Sequence, residues 1–161
     1  MVSRRLLAPS LLVAALSAGA SAQVVLDDFR TGGDSLLVSG GTGHLEKQQV
    51  GTGIAGTQRD VLLDVTANPF ARAAEFEIVA GQGASFLATG SGVEANVFLD
   101  YDGIDAEGND GTQTPGSGLN LDLSGQNAFE IEFLFADQGL TTQFDLFSYG
   151  GGMSTASFTD S

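Results

Sequence analysis

The residues with the most chemistry to offer lie in one acidic loop. Asp100, Asp102, Asp105, Glu107 and Asp110 place five carboxylates within eleven residues, interrupted by Gly103 and Gly108. Calcium takes about six to eight hard oxygen ligands, and glycines let a loop fold carboxylates and carbonyls around an ion. The loop is therefore a candidate calcium site. Its spacing departs from the EF-hand, because Ile104 stands where that pattern needs an acid and no Glu closes the loop. A solvated acidic loop at the end of a β-sandwich accounts for the same residues.

Paired carboxylates are the second possibility. Glu130 and Glu132 share one strand face, as do Glu75 and Glu77. Residues two apart in a strand lie about 6.5–7 Å from each other, within the range of a glycosidase acid pair. Wet-face glutamates give the same pattern. His44 is the only histidine and lies in a polar, glycine-flanked segment without a nucleophile-elbow motif, so it reads as an exposed residue rather than a relay base. Gly51-Thr52-Gly53-Ile54-Ala55-Gly56 spells a dinucleotide-binding pattern, yet no amphipathic helix follows to form an anion cradle. It reads as a flexible turn. Arg59 follows it, with a surface position expected and, as alternatives, an acid partner or hydrogen bonds to the loop.

Sugar binding would call for exposed aromatic faces. Tryptophan is absent, and most of the 11 phenylalanines sit where core packing explains them. Tyr101, Tyr149, Phe98 and Phe147 fall at strand ends or out of phase. Tyr101 and Tyr149 are the candidate ligand residues.

These side chains need a scaffold, and the alternation of apolar and polar residues describes one. Short alternating runs recur between Gly, Ser, Asn and Asp punctuation, without a sustained helical period. Strands are expected at 24–29, 35–39, 44–50 (polar, an edge), 60–67, 73–79, 85–89, 93–101, 119–123, 129–135, 141–149 and 154–159. A tight turn at 137–139 should make 129–135 and 141–149 a hairpin, and Gly150 to Gly152 should break the chain after it. Each run offers one apolar and one wet face, so the expected fold is all-β, an antiparallel jelly-roll-like sandwich in one domain over 23–161.

The first 22 residues differ in kind. A basic start (Arg4, Arg5), an apolar run from Leu6 to Leu16 and Ala20-Ser21-Ala22 match a secretory signal cleaved before Gln23. The run is short and broken by Pro9, unlike a membrane span. The twin arginines also fit folded export, but the short basic region and the lack of cofactor ligands favour the general route. With the signal removed, Arg30, Lys47, Arg59 and Arg72 face all 20 acids, a net charge of −16. That charge disfavours nucleic acid and anionic lipid as partners. Without cysteine there are no disulfides, thiolate metal sites or lipoprotein attachment. The expected location is extracellular or periplasmic, with no membrane insertion after cleavage. Ser161 ends in mid-strand, as a finished secreted β-protein or a truncated frame would.

Leu26-Asp27-Asp28-Phe29, Gly51 to Gly56 running into Arg59-Asp60, Tyr101-Asp102-Gly103, Gly118 to Leu123, Asn127-Ala128-Phe129 and Ala136-Asp137 carry a family likeness. In these residues the chain resembles bacterial exported glycine-rich β-sandwich proteins of the PEP-CTERM-associated type. The resemblance spans most of 24–149 and implies a fold rather than an activity. The Pro-Glu-Pro sorting tail that often ends such chains is not in this sequence. Glu130 to Phe133 is also similar to the acidic strand of laminarinase-type hydrolases, but Leu134, Phe135 and Ala136 stand where that family needs a further acid. The expected function is a non-enzymatic surface, matrix or adhesion component. The alternatives are a carbohydrate-binding module with structural calcium and, further off, a glycoside hydrolase or lyase. Glycans or surface proteins are the expected partners.

Overall fold

A computed structural model describes residues 24–103, 119, 121–124, 126, 128, 130, 139–148 and 150–160. The described residues form antiparallel sheets: β1 (Asp34–Val38), β2 (Gly43–Val50), β3 (Gln58–Ala67), β4 (Ala74–Val79), β5 (Ala84–Thr89), β6 (Glu94–Asp100), β7 (Leu140–Phe147) and β8 (Met153–Asp160). One sheet runs β1-β4-β5 and another β2-β3-β6, while β7 and β8 form a hairpin.

The two three-stranded sheets share one plan. β1 to β2, β3 to β4 and β5 to β6 each pass from one sheet to the other, and the neighbours pair antiparallel throughout. The arrangement is a three-stranded meander folded across its middle. It carries the expected all-β, antiparallel, sandwich-like arrangement. The faces that meet are the alternating apolar sets. Leu36 from β1, Val61 and Leu63 from β3, and Phe76 and Ile78 from β4 form one buried cluster, continued by Val65, Ala74 and Val93. Each large side chain of this kind contributes roughly 1.5–3 kcal/mol by leaving water.

Folding the meander gives the sandwich two unlike ends. At the corner end, segments 39–42, 68–73 and 90–93 turn over together. Asn68 Nδ2 donates to the carbonyls of Gly41 (2.8 Å) and Arg72 (2.7 Å), and its Oδ1 accepts from the Arg72 amide. The Gly90 amide donates to the Ala73 carbonyl. At the opposite, open end lie the strand termini, segments 51–57 and 80–83, residues 101–103, and the N-terminal segment that crosses them.

Two expected strands are not seen among the described residues. Residues 24–29 contribute only an isolated bridge between Asp27 and Ile54. The carboxylates of Asp27 and Asp28 accept from the amides of Phe29 and Arg30, and these local bonds replace a ladder. Residues 121–123 carry no strand either. The expected strand 129–135 and turn 137–139 lie mostly outside the described residues. β7 pairs with β8, the strand expected at 154–159, through the glycine turn, where the Ser148 amide donates to the Gly152 carbonyl at 2.7 Å. One face of this hairpin is polar: Thr141 meets Thr159, and Asp145 accepts from Gln143 and Thr155. Phe144 and Leu146 lie on the other, as their phase predicts.

Candidate functional site

The inward phase of β3 runs Arg59, Val61, Leu63, Val65. Arg59 is thus the last inward residue of the central strand, and it is 0% exposed. This corrects the surface position expected for it. Gln49 on β2 lies opposite in register. On the other side, one step past the Asp60–Asp100 pair, Tyr101 continues the inward phase of Ala95, Val97 and Leu99. Gln49, Arg59 and Tyr101 form a polar row that closes the core at the open end.

The N-terminal segment completes the row. Arg59 Nη1 pairs with Asp27 Oδ2, both side chains being buried. Arg59 Nε donates to Gln49 Oε1 at 2.7 Å, and Nη2 donates to the carbonyls of Thr31 (2.9 Å) and Gly32 (3.1 Å). The guanidinium lies 5.5 Å from the centre of the Phe29 ring, close enough for a cation–π contact. Tyr101 Oη donates to Asp27 Oδ2 at 2.9 Å. Burial, then the neighbouring Asp27 carboxylate, hold the Tyr101 phenol well above its ordinary value, so it is a fixed donor at neutral pH. Gln49 Nε2 is buried with no hydrogen-bond partner among the described residues.

The segment Gly51 to Gly56 is the expected turn, but a bonded one. Asp28 donates its amide to the Gly53 carbonyl, Ala55 donates to the Leu26 carbonyl, and the Gly53 amide donates to Thr31 Oγ1. A Cβ on Gly53 would overlap the Asp28 carboxylate, which accounts for glycine there. Residues 25, 28 and 52–55 line an open groove of about 430 Å³ between turn and N-terminal segment. The turn ends in a single 3-10 turn, Ala55–Thr57, and leads into β3 rather than an α-helix, so it lacks the helix N-terminus that a phosphate cradle needs.

The sequence-predicted residues scatter around this centre. Asp100 ends β6 on the outer face and Asp102 is half-buried; Asp105, Glu107 and Asp110 lie outside the described residues. Asp60, 2% exposed, sits in register with Asp100 and hydrogen-bonds Gln58 at 3.5 Å. Among the described residues, no three acidic or histidine side chains are grouped to hold a metal. Tyr149 lies outside the described residues. His44 is exposed on edge strand β2 in register with Asp64. Glu75 and Glu77 point outward from β4, in register with Ala88 and Phe86. Glu130 is exposed, and Glu132 lies outside the described residues. Phe98 and Phe147 are half-exposed, at 49% and 52%.

Sequence reading missed the Asp27–Arg59–Tyr101 centre. Two of its members carry a signal, because Arg59 and Tyr101 continue the odd-numbered phases of their strands. Asp27 carries none, since its partner lies 32 residues away. No helix among the described residues is long and apolar enough to cross a membrane. No family model, no curated protein and no solved structure matches the chain.

Proposed function

We propose that the chain is an exported, non-enzymatic β-sandwich module that works by surface contact, as a cell-surface, matrix or adhesion component. The observation that carries this reading is the direction of the buried charge. Among the described residues Asp60 is buried too, but the buried Arg59, Asp27 and Tyr101 are engaged with one another, with Gln49 and with the carbonyls of residues 31 and 32, in bonds that fasten the N-terminal segment to the sheet. A catalytic acid or base must instead reach a substrate. Apolar side chains such as Phe86, Phe98, Phe147 and Phe158 are meanwhile exposed and open to contact. Export rests on the first 22 residues.

A second reading, a carbohydrate-binding module with structural calcium, is favoured by one observation. Asp60 faces Asp100 across the β3–β6 ladder, adding a carboxylate to the loop that begins there. Phe98 lies one row away on the same outer face and could stack on a sugar ring.

Glycan-array binding of folded residues 23–161, with calcium and with EDTA, separates the readings. Silence in both conditions is expected. Saturable binding that chelation weakens, and that Asp102→Ala abolishes, would overturn the first reading in favour of the second.

A further inference from the structure

We propose that the open end of the sandwich is a peptide-recognition site, filled by residues 27–32 of its own chain, and that the same residues of a second copy fill it in a strap-exchanged dimer. The inference is independent of what the module binds.

Residues 27–32 are held as a bound peptide is held. They contribute no strand, only the isolated Asp27–Ile54 bridge, so their departure breaks no ladder. Side chains and loop backbone grip them instead. Arg59 takes the Asp27 carboxylate, two carbonyls and the Phe29 ring, and Tyr101 takes the same carboxylate. The Gly53 carbonyl accepts from Asp28, Thr31 Oγ1 accepts from Gly53, and the Arg30 carbonyl accepts from Gly81 in the β4–β5 turn. The determinant is an acid and an aromatic two residues apart, read by one buried guanidinium.

The ends of this strap suit exchange. Val24 and Val25, which lead into it, are exposed, and on the exported reading only Gln23 precedes them. Gly32 and Gly33 join it to β1, and Gly32 has φ +66, a conformation glycine adopts without a Cβ penalty. None of the contacts depends on which copy supplies the strap. The closed monomer and the exchanged dimer therefore differ in the hinge and in concentration, the usual route by which copies swap an element. Self-repulsion between two chains of this acidity opposes the dimer, so salt should favour it.

The test refolds residues 23–161 from denaturant across a range of protein concentrations and reads mass by light scattering. A second version carries Gly-Ser-Gly-Ser inserted between Gly32 and Gly33, which eases closure onto the same chain. The expected result is a slowly dissociating dimer whose share rises with concentration and falls several-fold in the lengthened version. Monomer at every concentration, or a dimer whose share ignores the hinge, overturns the proposal. Co-refolding Asp27→Arg with Arg59→Asp gives a second reading even where each fails to fold alone. A one-to-one heterodimer, holding one native and one reversed ion pair, supports exchange; absence of any folded species speaks against it.

Discussion

The two ends of the sandwich close the same core by different physics. At the corner end a single neutral side chain, Asn68, stitches two of the three bends through backbone carbonyls and one amide, and the Gly90 amide ties in the third. At the open end a buried charge does the work, with Arg59 at 0% exposure holding a carboxylate, an amide side chain, two carbonyls and a ring. Neutral bonds near solvent are individually modest, because water replaces them when they are lost. A buried ion pair is different: removing one partner strands the other in a low-dielectric interior. The open end is consequently where the fold is most brittle.

That contrast is broken most directly at Arg59. Arg59→Met leaves Asp27 buried without its counter-charge and should cost about 3–5 kcal/mol in denaturant unfolding. Asp27→Ala should cost a similar amount from the other side. A loss below that of Asn68→Ala would erase the difference between the ends. Tyr101→Phe removes a hydrogen bond to a charged group and should cost about 1.5–3 kcal/mol. It should also change the alkaline limb. The Tyr101 phenol is raised in the folded state, so its contribution is fully present below the ordinary value of 10.0 and is lost as pH rises above it. Thermal unfolding from pH 9 to 12 should show a steeper fall for the native protein than for Tyr101→Phe.

Asn68→Ala sharpens the comparison from the other end, with an expected loss of about 1–2 kcal/mol by the same unfolding measurement. The smallest effect belongs to the sandwich's long edge, where Lys47 of β2 bonds Asp34 of β1 at 2.7 Å with both side chains 43% exposed. Lys47→Met should cost no more than about 1 kcal/mol. The hydrogen bond from Lys47, then that from the Ser35 amide, lowers the Asp34 carboxyl below its ordinary 3.8. Its contribution is therefore present above that value and lost as pH falls through the lower folded-state one. The difference between native protein and Lys47→Met should vanish in that acid range, as acid titration of the unfolding midpoint would show.

The strands were legible because period-two alternation survives in a chain with few helical signals. Val61, Leu63 and Val65, and Ala74, Phe76 and Ile78, are buried as their phase requires. The glycine turn before β8 was equally plain. The N-terminal strand was misread because Asp27 and Asp28 bond their own backbone, which composition alone does not distinguish from strand polarity. Arg59 was misread because a charged type suggests a surface, although its phase placed it inside. β7 pairs with β8 across the glycine turn, a local hairpin that the break at Gly150 to Gly152 marks in the sequence, while the expected run 129–135 lies mostly outside the described residues. The acidic loop was visible, while the contribution of Asp60 to its neighbourhood needed the β3–β6 register.

The most direct measurement is equilibrium unfolding of residues 23–161 in three forms: native, Arg59→Met and Lys47→Met. The account predicts a loss of about 3–5 kcal/mol for the first variant and at most about 1 kcal/mol for the second. Equal, small losses would contradict it, and would mean that the N-terminal strap and its buried arginine do not hold the open end together.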